Sequence, residues 1–188
     1  MTNIALLLID FQNDYYPTFS DAKYPLLATE AASLNAATLL TKFRRYSLPI
    51  IHVRHESLAV NAPFFIPKSE GANIHNSVAA ITGEEVIVKH KPNSFKDTRL
   101  NALLKELEIE KLLIVGAMSH MCIDATARAA VDFGYECYVA HDACATLDLE
   151  FNGIKIPAKH VHYSFMAALN TSYCQVDSTD NILQIVRG

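Results

Sequence analysis

The run Ile4-Ala5-Leu6-Leu7-Leu8-Ile9, closed at once by Asp10, constrains this chain more than any other segment. Apolar residues without alternation leave no side for water, so the run predicts a strand covered on both faces. It falls far short of the ~20 residues that a membrane-crossing helix needs. Strands of this kind belong to parallel sheets packed between helices, and the rest of the chain supplies the alternation such a sheet requires. A helix is predicted over about Leu26 to Tyr46, with Leu27, Leu34, Leu39 and Phe43 forming much of its apolar side. A strand at Ile50–Val53 follows, then a Pro- and Gly-punctuated segment from Glu56 to Asn76 suited to a pocket wall or a surface connection.

The pattern continues with a strand at Glu85–Val88, a helix from about Asp97 to Leu107, and a strand at Lys111–Val115 that turns at Gly116. A helix from about His120 to Phe133 ends before Gly134, where a left-handed residue is cheapest. Glu136–Ala140 is strand-like, His162–Thr171 helical, and Tyr173–Val176 a final strand before a polar stretch. The expectation is an α/β chain forming a single domain over residues 1–188, a mainly parallel sheet with helices on both faces.

Composition excludes several function classes. With 51% hydrophobic and 19% charged residues the chain is neither disordered nor fibrous, and a net charge of -4 argues against nonspecific nucleic-acid binding. Lys89, His90 and Lys91 form a candidate for a local basic pocket. The N terminus lacks a secretory pattern, so a cytoplasmic protein without membrane partners is expected. The loop after the first strand, Asp10-Phe11-Gln12-Asn13-Asp14, is not a glycine-rich phosphate cradle, and no cofactor is expected. Four cysteines show neither metal-ligand spacing nor the density of a disulfide scaffold. His52, His55, His75 and His90 read as surface or hydrogen-bonding residues, and no metal site is expected.

Loops beyond the carboxyl ends of parallel strands converge even when their residues are far apart in sequence. Asp10 ends the first strand, Lys89 follows Glu85–Val88, and Cys122 lies just beyond the strand that turns at Gly116. One pocket can therefore collect a carboxylate, an ammonium and a thiol. A helix N-terminus and a nearby lysine both favour thiolate, and a carboxylate can take the thiol proton and return it to a leaving amine. Ser119 is placed to cap the following helix, and the backbone amides of Met118 and Cys122 to face a developing oxyanion. An ordinary strand-to-helix turn is the competing reading of the same segment. Phe11, Phe64, Phe65, Phe95 and His120 are candidate pocket residues for a small planar group. As a strand-end group, Lys89 is expected to be removable without loss of fold.

Several segments together resemble the isochorismatase-like cysteine hydrolase superfamily. They are Leu7–Asp14, Val88-Lys89-His90-Lys91-Pro92-Asn93-Ser94-Phe95, Leu113–Cys122, Asp124–Ala130 and His141–Thr146, in this order. The resemblance implies a three-layer fold with a six-stranded, mostly parallel sheet, and a homo-oligomer. It maps an aspartate, lysine and cysteine triad onto Asp10, Lys89 and Cys122, with Lys91 as the alternative lysine, and implies a nonproline cis peptide between Ala117 and Met118. Ser119 stands where a threonine is often found. Nicotinamidases of this superfamily often carry an Asp-x-His metal motif after the second strand, whereas this chain reads His52-Val53-Arg54-His55. The resulting expectation is metal-independent hydrolysis of a small amide, carbamoyl or ureido compound through a thioester. Vinyl-ether hydrolysis and noncatalytic binding of a small molecule are the alternatives.

Overall fold

The computed structural model describes residues 3–186. Six strands form one sheet: β1 (Ile4–Ile9), β2 (Ile50–His55), β3 (Glu85–Lys89), β4 (Lys111–Ala117), β5 (Glu136–Ala145) and, after a small antiparallel hairpin of β6 (Leu149–Phe151) and β7 (Ile154–Ile156), β8 (Cys174–Asp177). The spatial order is β3-β2-β1-β4-β5-β8 and every neighbouring pair is parallel. The α-helices among the described residues are α1 (Thr29–Arg45), α2 (Leu100–Glu106), α3 (Asp124–Asp132), α4 (Ala158–Ser172) and α5 (Thr179–Ile185).

The opening apolar run behaves as its composition requires. All six residues of β1 are buried. Ile4, Leu6 and Leu8 join the core on one side of the sheet with Ala36, Leu39 and Phe43 of α1, while Ala5, Leu7 and Ile9 join the other side with Leu100, Leu104, Ile123 and Ala127. A period of two on a strand thus feeds two cores at once.

Helix α1 has its buried seam in a different phase from the one expected. Leu27 precedes the helix and is 94% exposed, and Leu34 is 67% exposed. The buried side is Thr29, Ala32, Ser33, Ala36, Leu39, Leu40 and Phe43, where small residues let the helix lie close to the sheet. Helix α2 starts only at Leu100, α4 reaches back to Ala158, and β5 runs on to Ala145. The polar stretch after β8 is helix α5, whose buried Thr179 and Ile182 pack beneath it. Residues Ser119–Ile123 form one wide π turn before α3, with the Ile123 N–H donating to the Met118 carbonyl at 3.2 Å.

The chain moves outward from β1 through β2 to β3, then returns to place β4 on the other side of β1. That reversal opens a crevice beyond the carboxyl ends of β1 and β4, the position where open parallel sheets bind ligands. Ile9 and Gly116 are register partners at that end. A Cβ on Gly116 would stand 1.9 Å from the Ile9 carbonyl oxygen, and its φ is +135, so this strand exit accepts only glycine.

Candidate active site

Asp10 leaves β1 with a left-handed backbone (φ 56), a conformation that aspartate tolerates better than most residues. Its carboxylate is fully buried. Lys89, the last residue of β3, is also fully buried, and its Nζ lies 2.7 Å from Asp10 Oδ2. The same ammonium donates to Cys122 Sγ at 3.3 Å and to His55 Nδ1 at 2.9 Å. Neither Asp10 oxygen accepts a well-directed hydrogen bond from a described residue, so the carboxylate keeps lone pairs to spare beside the thiol. Asp10, His55 and Cys122 bring one ligand-type atom each within 4.8 Å of one another, and the cation they surround is Lys89 Nζ itself.

The electrostatics differ from a preformed thiolate. Burial raises the Cys122 thiol and Asp10 raises it further; Lys89 pulls the other way but does not prevail, leaving it at about 12. Burial alone would lower the Lys89 ammonium, yet Asp10 and Cys122 hold its pKa above the ordinary value. Burial, and then the Lys89 charge, push His55 down to about 4, so its ring is neutral and its Nδ1 is the acceptor. At neutral pH the site therefore holds an ammonium, a neutral imidazole and a protonated thiol beside Asp10.

Above Cys122 lies a cavity of about 110 Å3, walled by Tyr15, Phe64, Phe65, Met118 and Met121 and edged by His55 and Ser57. Asp14 holds the aromatic wall in place: its carboxylate accepts from the Phe65 N–H at 2.7 Å and the Lys23 N–H at 3.1 Å. The peptide between Ala117 and Met118 is cis, as the resemblance implied.

Of the residues singled out from the sequence, Asp10, Lys89 and Cys122 meet, and Phe64 and Phe65 line the cavity. Met118 and Cys122 both border the same space. Phe11 does not reach it but is a core residue on the α1 side. Phe95 packs against Phe133 and Tyr135 on the opposite side, and His120 is turned to Thr146 Oγ1 at 2.7 Å. Lys91 is exposed, as is His90, so the basic pocket expected from Lys89-His90-Lys91 does not form; the one buried member is paired with Asp10. Ser119 caps no helix; it bonds the Ala145 carbonyl at 3.3 Å and His162 Nδ1 at 2.8 Å. Lys89 is no dispensable strand-end group either, because its removal would strand a buried carboxylate.

His55, Gln12 and Asp14 escaped the sequence reading as site residues. Gln12 is fully buried and grips the main chain of His55 at both ends, accepting from its N–H at 2.7 Å and donating to its carbonyl at 2.8 Å. A polar residue directly after a buried strand is a weak signal for such a clamp, because exposed loops carry the same residue types.

A parallel sheet with a buried carboxylate, ammonium and thiol gathered at its switch point defines an α/β protein with a ligand-type crevice at the carboxyl ends of its strands. The Isochorismatase domain family matches residues 4–156. The chain is 50% identical over 180 residues to the isochorismatase family protein YddQ of Bacillus subtilis, covering 96% of this chain and 98% of that one. An isochorismatase-family crystal structure from Oleispira antarctica superposes with a TM-score of 0.95 at 59% identity, covering 98% of each chain. A streptothricin hydrolase of Streptomyces noursei is 33% identical over 149 residues, covering 77% of this chain and 50% of its own length. The chain belongs to the isochorismatase-like superfamily and is a hydrolase of that family.

Proposed function

We propose that this hydrolase cleaves a C–N bond in a small amide, carbamoyl or ureido compound through a thioester on Cys122, without a metal ion. The observation that carries the reading is the shared ammonium: Lys89 binds both Asp10 and Cys122, setting a carboxylate with unused lone pairs next to a thiol at the floor of a cavity. Asp10 takes the S–H proton while sulfur attacks the carbonyl carbon, and the carbonyl π pair moves onto oxygen. The backbone N–H groups of Met118 and Cys122 are the proposed donors to that oxyanion. When the carbonyl re-forms, the C–N bond breaks and Asp10 gives its proton to the leaving nitrogen. Water then attacks the thioester as Asp10 accepts its proton, and collapse returns the thiol.

A thiol at about 12 suits this scheme better than a resting thiolate would. Proton transfer and attack occur together, and the nucleophile stays protonated until a substrate carbonyl is in place. Lys89 stays charged throughout and offsets the negative charge as it moves from carboxylate to oxyanion. The lysine bonded to the neutral His55 and to Cys122 occupies the centre where a metal would need to sit, which supports metal-independent chemistry.

The test is a panel of small primary amides, carbamoyl compounds and ureido compounds, with ammonia release and intact-protein mass measured together. The expected result is ammonia or amine release and an acyl adduct on the wild type, with both lost in Cys122→Ala. Turnover by a folded Cys122→Ala protein would overturn the thioester route, and pyruvate release from isochorismate without ammonia from any amide would favour vinyl-ether hydrolysis instead.

A further inference from the structure

The cavity over Cys122 contains polar groups but no charged group to meet a substrate. Lys89 is enclosed by Asp10, His55 and Cys122 and has no exposed surface. Among the described residues lining the cavity, the polar side chains are Tyr15, His55, Ser57 and Cys122. The Tyr15 phenol is held well above its ordinary value by burial first and then by the acidic groups beside it, Cys122 and Asp10 foremost, so it too is neutral.

His55 is fixed by contacts on three sides. Gln12 holds its main chain at both ends, and Lys89 Nζ donates to Nδ1. With Nδ1 an acceptor, the ring proton belongs on Nε2. No described residue takes a hydrogen bond from Nε2, and the ring borders the cavity. The titratable and charged groups near the ring are Lys89, Asp10, His90 and Lys91. His90 turns its Nδ1 to the Glu56 carbonyl at 2.8 Å, and neither His90 nor Lys91 lines the space.

We infer that His55 is a specificity-determining residue: it presents a neutral Nε2–H donor to the substrate carbonyl region and makes the cavity selective for a small uncharged amide. Carboxylate-bearing substrates, ureido acids among them, are excluded because the lining would strip their hydration without supplying a cation. The volume agrees, since about 110 Å3 is below the ~300–1,000 Å3 typical of larger ligand pockets. This inference rests on the amidase reading for its substrate class, but the neutrality of the cavity can be tested apart from turnover.

Two measurements on the wild-type protein decide it. In 15N-detected imidazole spectra, the signal lost in His55→Gln should show the Nε2–H tautomer unchanged from roughly pH 5 to 9. A His55 ring titrating near 6.5, or carrying its proton on Nδ1, overturns the assignment. Alkylation of Cys122 by iodoacetamide and by iodoacetate compares a neutral and an anionic reagent of nearly equal size. The neutral reagent should be preferred at least about tenfold beyond its preference for a free thiol, the ratio that 1.4 kcal/mol of desolvation imposes. Equal or reversed preference sinks charge exclusion. Benzamide and 4-carbamoylbenzoate then serve as matched amides. Neutral preference in alkylation with no amide turned over leaves the cavity assignment standing and overturns the amidase reading; turnover of 4-carbamoylbenzoate as fast as benzamide overturns the substrate class alone.

Discussion

The two ends of strand β2 carry two carboxylate clusters that look alike in composition and differ in what their oxygens have left to do. At one end, Glu84 accepts from Arg44 Nε at 2.7 Å and Arg44 Nη2 at 2.9 Å, from the Ile81 N–H at 3.0 Å, and lies 2.9 Å from Nε2 of the buried His52. At the other end, Asp10 has the Lys89 ion pair and no well-directed donor on either oxygen. Burial would raise the Glu84 carboxyl, but Arg44, the Ile81 N–H and His52 together hold it down at about 2. A carboxylate held by four polar contacts is a fastening. One with unused lone pairs beside a thiol keeps them available, as the proposed proton exchange requires.

The comparison is sharpest under isosteric replacement of each carboxylate. Asp10→Asn should lower turnover by about 10^2–10^4-fold, the range supplied by a positioned general acid–base group. Glu84→Gln should leave turnover within about twofold and cost about 1–2 kcal/mol of stability, seen by chemical denaturation. The sign of its pH dependence follows from the depressed carboxyl. The Glu84 contribution is present above the ordinary value of 4.5 and is lost as pH falls through about 2, so the variant's deficit should shrink across that window. A catalytic loss of equal size in both variants would erase the distinction between the two ends.

Breaking the cation side of the pair probes burial rather than chemistry. Lys89→Ala leaves Asp10 buried and unpaired, so the fold should weaken by about 3–5 kcal/mol along with loss of activity. Lys91→Ala, on an exposed side chain two residues away, should move stability by less than about 0.5 kcal/mol and leave turnover near wild type. A stable, inactive Lys91→Ala protein beside an active Lys89→Ala protein would reverse the assignment of the lysine. The smallest effect concerns the resting thiol. Its alkylation rate should keep climbing with pH toward about 12 instead of levelling near the ordinary thiol value of 9.0.

Much of this architecture was legible because it depends on local pattern. Six apolar residues ending in Asp10 read as a two-face strand, and the strand ends offered Asp10, Lys89 and Cys122 to one rim of the sheet, where the fold brings them together. The preference for Lys89 over Lys91 rested on its place directly after Glu85–Val88 and on the register to Ser94-Phe95; the two lysines share strand parity, and they differ because β3 ends at the buried Lys89 while Lys91 lies beyond it, exposed. Leu27 and Leu34 misled because apolarity counts residues without regard to phase, and α1 docks through alanines and a serine that a hydrophobic reading discounts.

What the sequence by itself determined, then, is the sheet, its order of elements and the three residues offered at the carboxyl ends of its strands, since these follow from periodicity and from where strands stop. Tertiary structure alone decided which polar residues build the cavity and hold its walls. Phe95 and His120 sit near Cys122 in the chain's pattern yet turn to other neighbours, while His55, Gln12 and Asp14 reach the site through contacts spanning 34 to 51 residues. The thiol's charge state was equally beyond the sequence. Residue types propose a thiolate beside a lysine, but burial and the Asp10 carboxylate outweigh that lysine, and neither depth nor distance is written in the order of residues.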